Sequence, residues 1–408
     1  MHRLHRPLRL LVVPVALVAL LAAAGPAQAA PGDWWQFGYT AAGTRYNPNE
    51  TAIGAANVAR LVVGAEQVPT FGAGATFAHA SAVAVAGGRA YVQVGNFESG
   101  SSALLAYDTG AFGSPPRWQQ RSGCNNVSPT VHLSIVFVGA IACRPSGDDG
   151  GVRAFDAASG RLLWYTHTLG IGNGTEDASN VAATSGAIYF SLYENAVYGG
   201  DNALLSLDAR TGAVRWRAPG VFGAPAAAGG RVFAAIGANL QARSASTGAL
   251  LWSRPGADFG SVPAVTGGVV YSIGLEGGGW RLFARSVSNG ALRWQRALPS
   301  SGGLAVAGGR VLVATGSGLR AVDAASGALR WNVAVAARGA PAVANGLVYA
   351  GLQQGIGAWR LSDGAQRWRS GAIAYGSPSV SGGRVYATGV RAGADGDAAV
   401  VDQFRLGG

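Results

Sequence analysis

The chain has 408 residues, of which 49% are apolar and only 12% charged, with 64 glycines and a formal charge of +11. That composition excludes a disordered chain and, at this length, a core dependent on disulfides. All 31 basic residues are Arg and none is Lys. This excludes lysine Schiff-base chemistry and a P-loop phosphate grip, and it reads as coding bias rather than selection for nucleic acid.

His2, Arg3, His5, Arg6 and Arg9 form a basic start, Leu10 to Ala24 an apolar run, and Ala27-Gln28-Ala29 a small–x–small cleavage pattern. Residues 1–29 are therefore expected to be a signal peptide. An uncleaved anchor is the alternative, but a run of about 15 residues containing Pro14 is short for a membrane span. No Cys lies near the cleavage site, so no lipoprotein is expected. The mature protein is expected to be exported, without a transmembrane span. Residues 30–57 then form a lead-in segment, and 58–408 a single repeated domain.

Within that domain, a turn followed by Trp recurs at Trp118, Trp164, Trp216, Trp252, Trp294, Trp331 and Trp368, spaced 36 to 52 residues apart. A second phrase alternates with it: two short apolar runs around Gly87-Gly88, Gly229-Gly230, Gly267-Gly268, Gly308-Gly309, Asn345-Gly346 and Gly382-Gly383. Divergent copies sit at Leu133-Ser134 and Ser185-Gly186. Gly-Gly and Asn-Gly accept φ > 0, as tight hairpins require. Each unit thus holds four short strands, the sequence form of a propeller blade.

The fold expected is all-β, an eight-bladed β-propeller of four-stranded antiparallel blades. Seven blades is the alternative. Eight first hairpins but only seven Trp strands leave the last blade one strand short. Val58 to Val63 is the available piece, so closure by an N-terminal strand is expected. Asp108, Asp156, Asp208 and Asp323 open the turn before Gly, and Ser244, Ser286 and Arg360 replace them elsewhere, which marks scaffold rather than catalysis.

The phrase from Ala321 to Trp331 resembles the tryptophan-docking repeat of the pyrroloquinoline quinone (PQQ) propeller family. Asp33-Trp-Trp-Gln-Phe-Gly38, Thr44-Arg-Tyr-Asn47 and Asn57-Val-Ala-Arg-Leu61 look like the lead-in of its alcohol dehydrogenases. The resemblance covers nearly all of the mature chain. It implies the fold, and PQQ and Ca²⁺ as the cofactors in question. The superfamily also contains non-enzymatic propellers, such as an outer-membrane assembly lipoprotein, that bind no quinone.

Family enzymes carry two adjacent cysteines against the quinone, whereas the similar loop here, Ser122-Gly-Cys124-Asn125-Asn126, has one. Cys124 and Cys143 lie nine or ten residues either side of the Leu133-Ser134 turn, which places them opposite one another, so a structural disulfide is expected. A reactive thiol pair or metal site is the alternative. The family's calcium-binding Glu falls on Val197; Glu194, Glu176 and Asp177 are the nearby metal candidates, against ordinary solvated carboxylates. No zinc spacing, Gly-x-Ser-x-Gly or nucleotide-binding turn is present.

The loops entering the innermost strands should converge on one face, bringing together His79, Asn125, Asn126, Asp177, Asn180, Asp258, Arg338 and Tyr375. Asn125, Asn126, Arg338 and Tyr375 are the cofactor-binding candidates and Asp258 the catalytic one. Such a funnel suits a small ligand or a peptide. The sequence thus favours an exported, monomeric binding or scaffold module, with an envelope protein among its conceivable partners. A minimal PQQ- and Ca²⁺-dependent dehydrogenase of alcohols or sugars is the alternative. Nucleic acid is not expected, because the Arg residues are spread once or twice per blade.

Overall fold

The computed structural model describes residues 30, 32–71, 75–76, 79–96, 101–122, 127–140, 151–166, 176–194, 202–220, 222–258, 260–371, 373–392 and 397–408. The expected signal peptide and Cys124, Asn125, Asn126 and Cys143 lie outside them. Eight four-stranded antiparallel blades make an all-β propeller, with one-turn 3-10 helices at Val58–Arg60 and Thr109–Ala111. The sixth blade is representative: Gly303–Ala307, Arg310–Thr315, Gly318–Asp323 and Leu329–Val333 pair in chain order, innermost strand first. Its first turn places Gly308 and Gly309 at φ 54° and 69°. Leu133 and Ser134 hold the same left-handed conformation at 52° and 61°, a strained arrangement for residues with a Cβ.

Each blade is locked to the next by its Trp. Trp331 donates its Nε1–H to the Leu361 carbonyl at 2.9 Å, and its ring lies 2.8 Å from where a Cβ on Gly364 would sit. Gly364 serves twice, because its φ of +75° also closes the turn. The same pairing joins Trp118 to Ala157 and Gly160, Trp164 to Ala209 and Gly212, Trp216 to Ala245 and Gly248, Trp252 to Val287 and Gly290, and Trp294 to Ala324 and Gly327.

A β-bulge recurs beside six of the Trp residues, as between Ala321 and Val322 opposite Trp331 and Leu329. The residue it leaves unpaired immediately precedes Trp. Where that residue is Arg215 or Arg330, the guanidinium lies 2.7 Å from Asp208 or Asp323. The Asp accepts turn N–H groups with its other oxygen, as from Ser326 at 2.9 Å. Arg215 thereby holds the Asp208 carboxyl down at about 2. These two guanidinium groups are thus paired within their own blades.

In the eighth sheet, Ser379–Ser381, Arg384–Arg391 and Ala398–Leu406 are followed by Leu61–Gln67, antiparallel to Ala398–Leu406. The strand begins at Leu61 rather than Val58, because Val58–Arg60 forms a 3-10 turn that buries Val58. Trp368 of the seventh blade donates to the Leu61 carbonyl at 3.0 Å.

The lead-in segment runs around the inside of the ring, touching the blades in succession. Carbonyls of Trp34, Trp35, Ala41, Ala42, Thr44 and Arg45 accept the N–H groups of Val85, Val131, Ala227, Val265, Val306 and Val343 at 2.6 to 2.9 Å. The Gln36 side chain takes Ala183 at 3.2 Å, and Asn47 donates to the Val380 carbonyl at 2.9 Å. In all eight innermost strands the partner is the equivalent residue. Two positions before it stand Pro129, Pro225, Pro263, Pro341 and Pro378 in five of the blades. Proline has no N–H to leave unpaired on an inner edge, so lead-in and prolines together satisfy that edge.

Candidate functional site

The lead-in lies at the hairpin-turn end of the ring. Asp33 accepts the N–H of Gly87 and Glu50 that of Gly383, both at 2.9 Å. Above it, a cavity of about 460 Å³ is floored by Phe37, Gly43 and Arg45 and walled by the loops that enter the innermost strands of successive blades. Asn180, Ser261, Ser301, Thr315, Gly316 and Ser377 line it.

Arg45 is the centre of the floor. It is fully buried, with φ +51°, and its guanidinium lies 4.5 Å from the Phe37 ring and 5.3 Å from that of Trp34. Nε donates to the Pro341 carbonyl at 2.8 Å, Nη2 to that of Pro378 at 2.5 Å, and Nη1 to that of Phe37. Burial lowers its pKa to about 9, which leaves it a cation at neutral pH. Carbonyl dipoles, not a carboxylate, compensate that charge.

The expected convergence is partial among the described residues. Asn180 lines the main cavity, and its Oδ1 accepts the Ser128 N–H at 2.9 Å. Asp258 is bonded to two residues of the lining, accepting from Gly260 N–H at 3.2 Å and Ser301 Oγ at 3.4 Å. His79 and Arg338 meet in a smaller cavity of about 250 Å³ with Gly376 and Thr388. It adjoins the larger one along the chain, since Gly339 and Ser377 line that one. Glu176 pairs with Glu194, and Asp177 with Tyr193, in strand register; their side chains lie outside what is described.

Tyr375 faces inward rather than into the funnel. It is 3% exposed and donates to Oδ2 of Asp402, itself 2% exposed, whose Oδ1 has no partner among the described residues. Burial, with the Glu66 carboxylate opposite it in register, raises the Asp402 carboxyl to about 6, against the pull of Tyr375 and Arg391. A raised acid binds its proton more tightly when folded. Its contribution is therefore complete below about pH 4 and is lost as pH rises through about 6. Asp402→Asn keeps an acceptor for Tyr375 and should stabilise the protein by about 2 to 3 kcal/mol at pH 7.5, the gain vanishing near pH 4. Thermal melts across that range read the difference.

The model of the outer membrane protein assembly factor BamB family matches residues 35–220 and 284–403. The chain belongs to that family. Its fold is shared by the quinohemoprotein alcohol dehydrogenase of Comamonas testosteroni, at TM-score 0.74 and 16% identity over 93% of this chain and 81% of that one. A europium-containing methanol dehydrogenase aligns at TM-score 0.73 and 14% identity, over 92% and 98% of the two chains. BamB from Moraxella catarrhalis aligns at 0.57 and 16%, over 84% and 99%. At these identities the likeness carries the fold alone. No curated protein matches the sequence.

A bound quinone and calcium would need carboxylate oxygens for the metal and cations for an acidic cofactor. The described lining offers hydroxyls, one amide, backbone and a single guanidinium already held by three carbonyls. Among the described residues no group of three or more His, Cys, Asp or Glu is placed to hold a metal ion. The described lining alone does not supply those donors, and the candidates Asn125 and Asn126 and the side chains of Glu176, Asp177 and Glu194 lie outside what is described. Phe37 and Arg45 stand in the lead-in motifs that carry the family resemblance but were given no site role there, and Ser261 was not singled out. The further signal for the floor was the proline recurring in five blades, which marks an inner edge awaiting a partner.

Proposed function

We propose that the exported chain is a binding or scaffold module whose funnel, closed at one end by its own lead-in, receives a small ligand or a peptide segment. The observation that carries this reading is the floor. Arg45 places one donor each on Phe37, Pro341 and Pro378, and the described lining of the main cavity beside it is hydroxyls, one amide and backbone groups. Membership of a family described by an assembly factor supports the same reading, and envelope proteins are then the partners to seek.

A second reading is a minimal PQQ- and Ca²⁺-dependent dehydrogenase, the activity of an enzyme that shares this fold at TM-score 0.74. Dye-linked oxidation of an alcohol and aldose panel, with PQQ and Ca²⁺ supplied, separates the two. No turnover above the enzyme-free rate is expected. Turnover dependent on both additions would establish the second reading.

A further inference from the structure

We infer that cleavage after Ala29 creates an α-ammonium group at Ala30 that docks on the carboxylate of Asp33, making the new N-terminus a structural part of the ring. Two independent observations meet at this residue. The sequence places the small–x–small pattern Ala27-Gln28-Ala29 directly before it. The fold places the Ala30 nitrogen 2.7 Å from Oδ2 of Asp33.

The surroundings make this a built receptor rather than a chance contact. The Asp33 N–H donates in return to the Ala30 carbonyl at 3.0 Å, so the two residues are bonded both ways. The same Oδ2 accepts the N–H of Gly87 in the first blade at 2.9 Å. The neighbouring Gly32 carbonyl accepts Ser381 Oγ of the eighth blade and Nδ2 of Asn47, each at 2.8 Å. Gly32 and Asp33 are thus pinned where first and last blades meet. Before cleavage the Ala30 nitrogen is a neutral amide. Hydrolysis of the Ala29–Ala30 peptide bond adds water across it, leaving a carboxylate on Ala29 and a protonated amine on Ala30. A hydrogen bond to Asp33 becomes an ion pair, which strengthens it. Export processing then completes the clamp that starts the lead-in on its path around the channel.

The absence of Lys makes the test clean, because the α-amine is the one primary amine of the mature chain. The protein exported by its native leader is purified, its N-terminus read by mass spectrometry, and its amine labelled with trace acetic anhydride across pH 6 to 10. The expected chain begins at Ala30. Its labelling midpoint lies about one unit above the ordinary α-amine range of about 7.7 to 8.0, so that labelling near pH 7.5 is roughly tenfold slower than for a free peptide. Asp33→Asn, which keeps an acceptor for Gly87, should restore the ordinary midpoint. In the wild type, 1 M salt should restore most of it, which serves if the variant does not fold. A chain beginning elsewhere would overturn the inference, as would an amine that titrates alike in wild type, variant and high salt.

Discussion

Trp368→Ala will destabilise the propeller by about 3 to 5 kcal/mol, the cost of a large cavity in a packed core. Trp368 is 6% exposed, meets Phe404 edge-on at 5.2 Å between ring centroids and donates to the Leu61 carbonyl. Its neighbours include Val58, Leu61, Tyr375 and Val401 in the same apolar cluster. Removing it leaves a carbonyl without its donor as well as a void, and both penalties fall between the seventh blade and the strand Leu61–Gln67. Trp216→Ala, at 7% exposure between the third and fourth blades, should cost a similar amount by urea unfolding. The two differ in place. Amide exchange in Leu61–Gln67 should quicken with Trp368→Ala and stay unchanged with Trp216→Ala. Equal protection of that strand in both variants would contradict the role given to Trp368.

Arg45→Met should be as damaging, although it removes a buried charge. Losing the cation relieves a desolvation cost, and Met fills much of the stem's volume against Trp34 and Phe37. Against this, three carbonyls, those of Phe37, Pro341 and Pro378, lose their donor inside the protein. Charge-assisted hydrogen bonds contribute about 1.5 to 3 kcal/mol each, so the loss outweighs the relief and a net cost of about 3 to 5 kcal/mol is expected. Arg45→Lys keeps the charge but cannot reproduce the planar fork that reaches two blades and the lead-in together, so it should recover only part of the loss. Thermal unfolding ranks the three proteins, and protease cleavage within residues 34–47 should appear first in the Met variant. A melting temperature unchanged by Arg45→Met would refute the account of the channel floor.

The blades were legible because their determinants are local. Gly308-Gly309 states its turn in two residues, and the interval from Gly327 to Trp331 repeats often enough to reveal a period. The interlock of Trp331 with Gly364 lies one period away, so it too was within reach. The path of the lead-in was not, because Trp34, Trp35, Ala41, Ala42, Thr44 and Arg45 bind through main-chain carbonyls that any sequence possesses. Only Pro129, Pro225, Pro263, Pro341 and Pro378 hinted at it, by the donors they lack. Tyr375 shows the remaining difficulty. Its place on an entering loop was readable, but its direction is set by Asp402, 27 residues later and on another strand. The start of the eighth blade's outer strand moved from Val58 to Leu61 because burying Val58 requires a turn, a tertiary demand the apolar run does not reveal.

Whether the funnel accepts a quinone is the question on which the functional account stands. The most direct measurement is equilibrium titration of the purified mature protein with PQQ, with and without Ca²⁺, followed by quenching of Trp fluorescence and by calorimetry. The account predicts no saturable, stoichiometric binding, and no effect of Ca²⁺ on the titration. One-to-one binding that tightens with Ca²⁺ would contradict it.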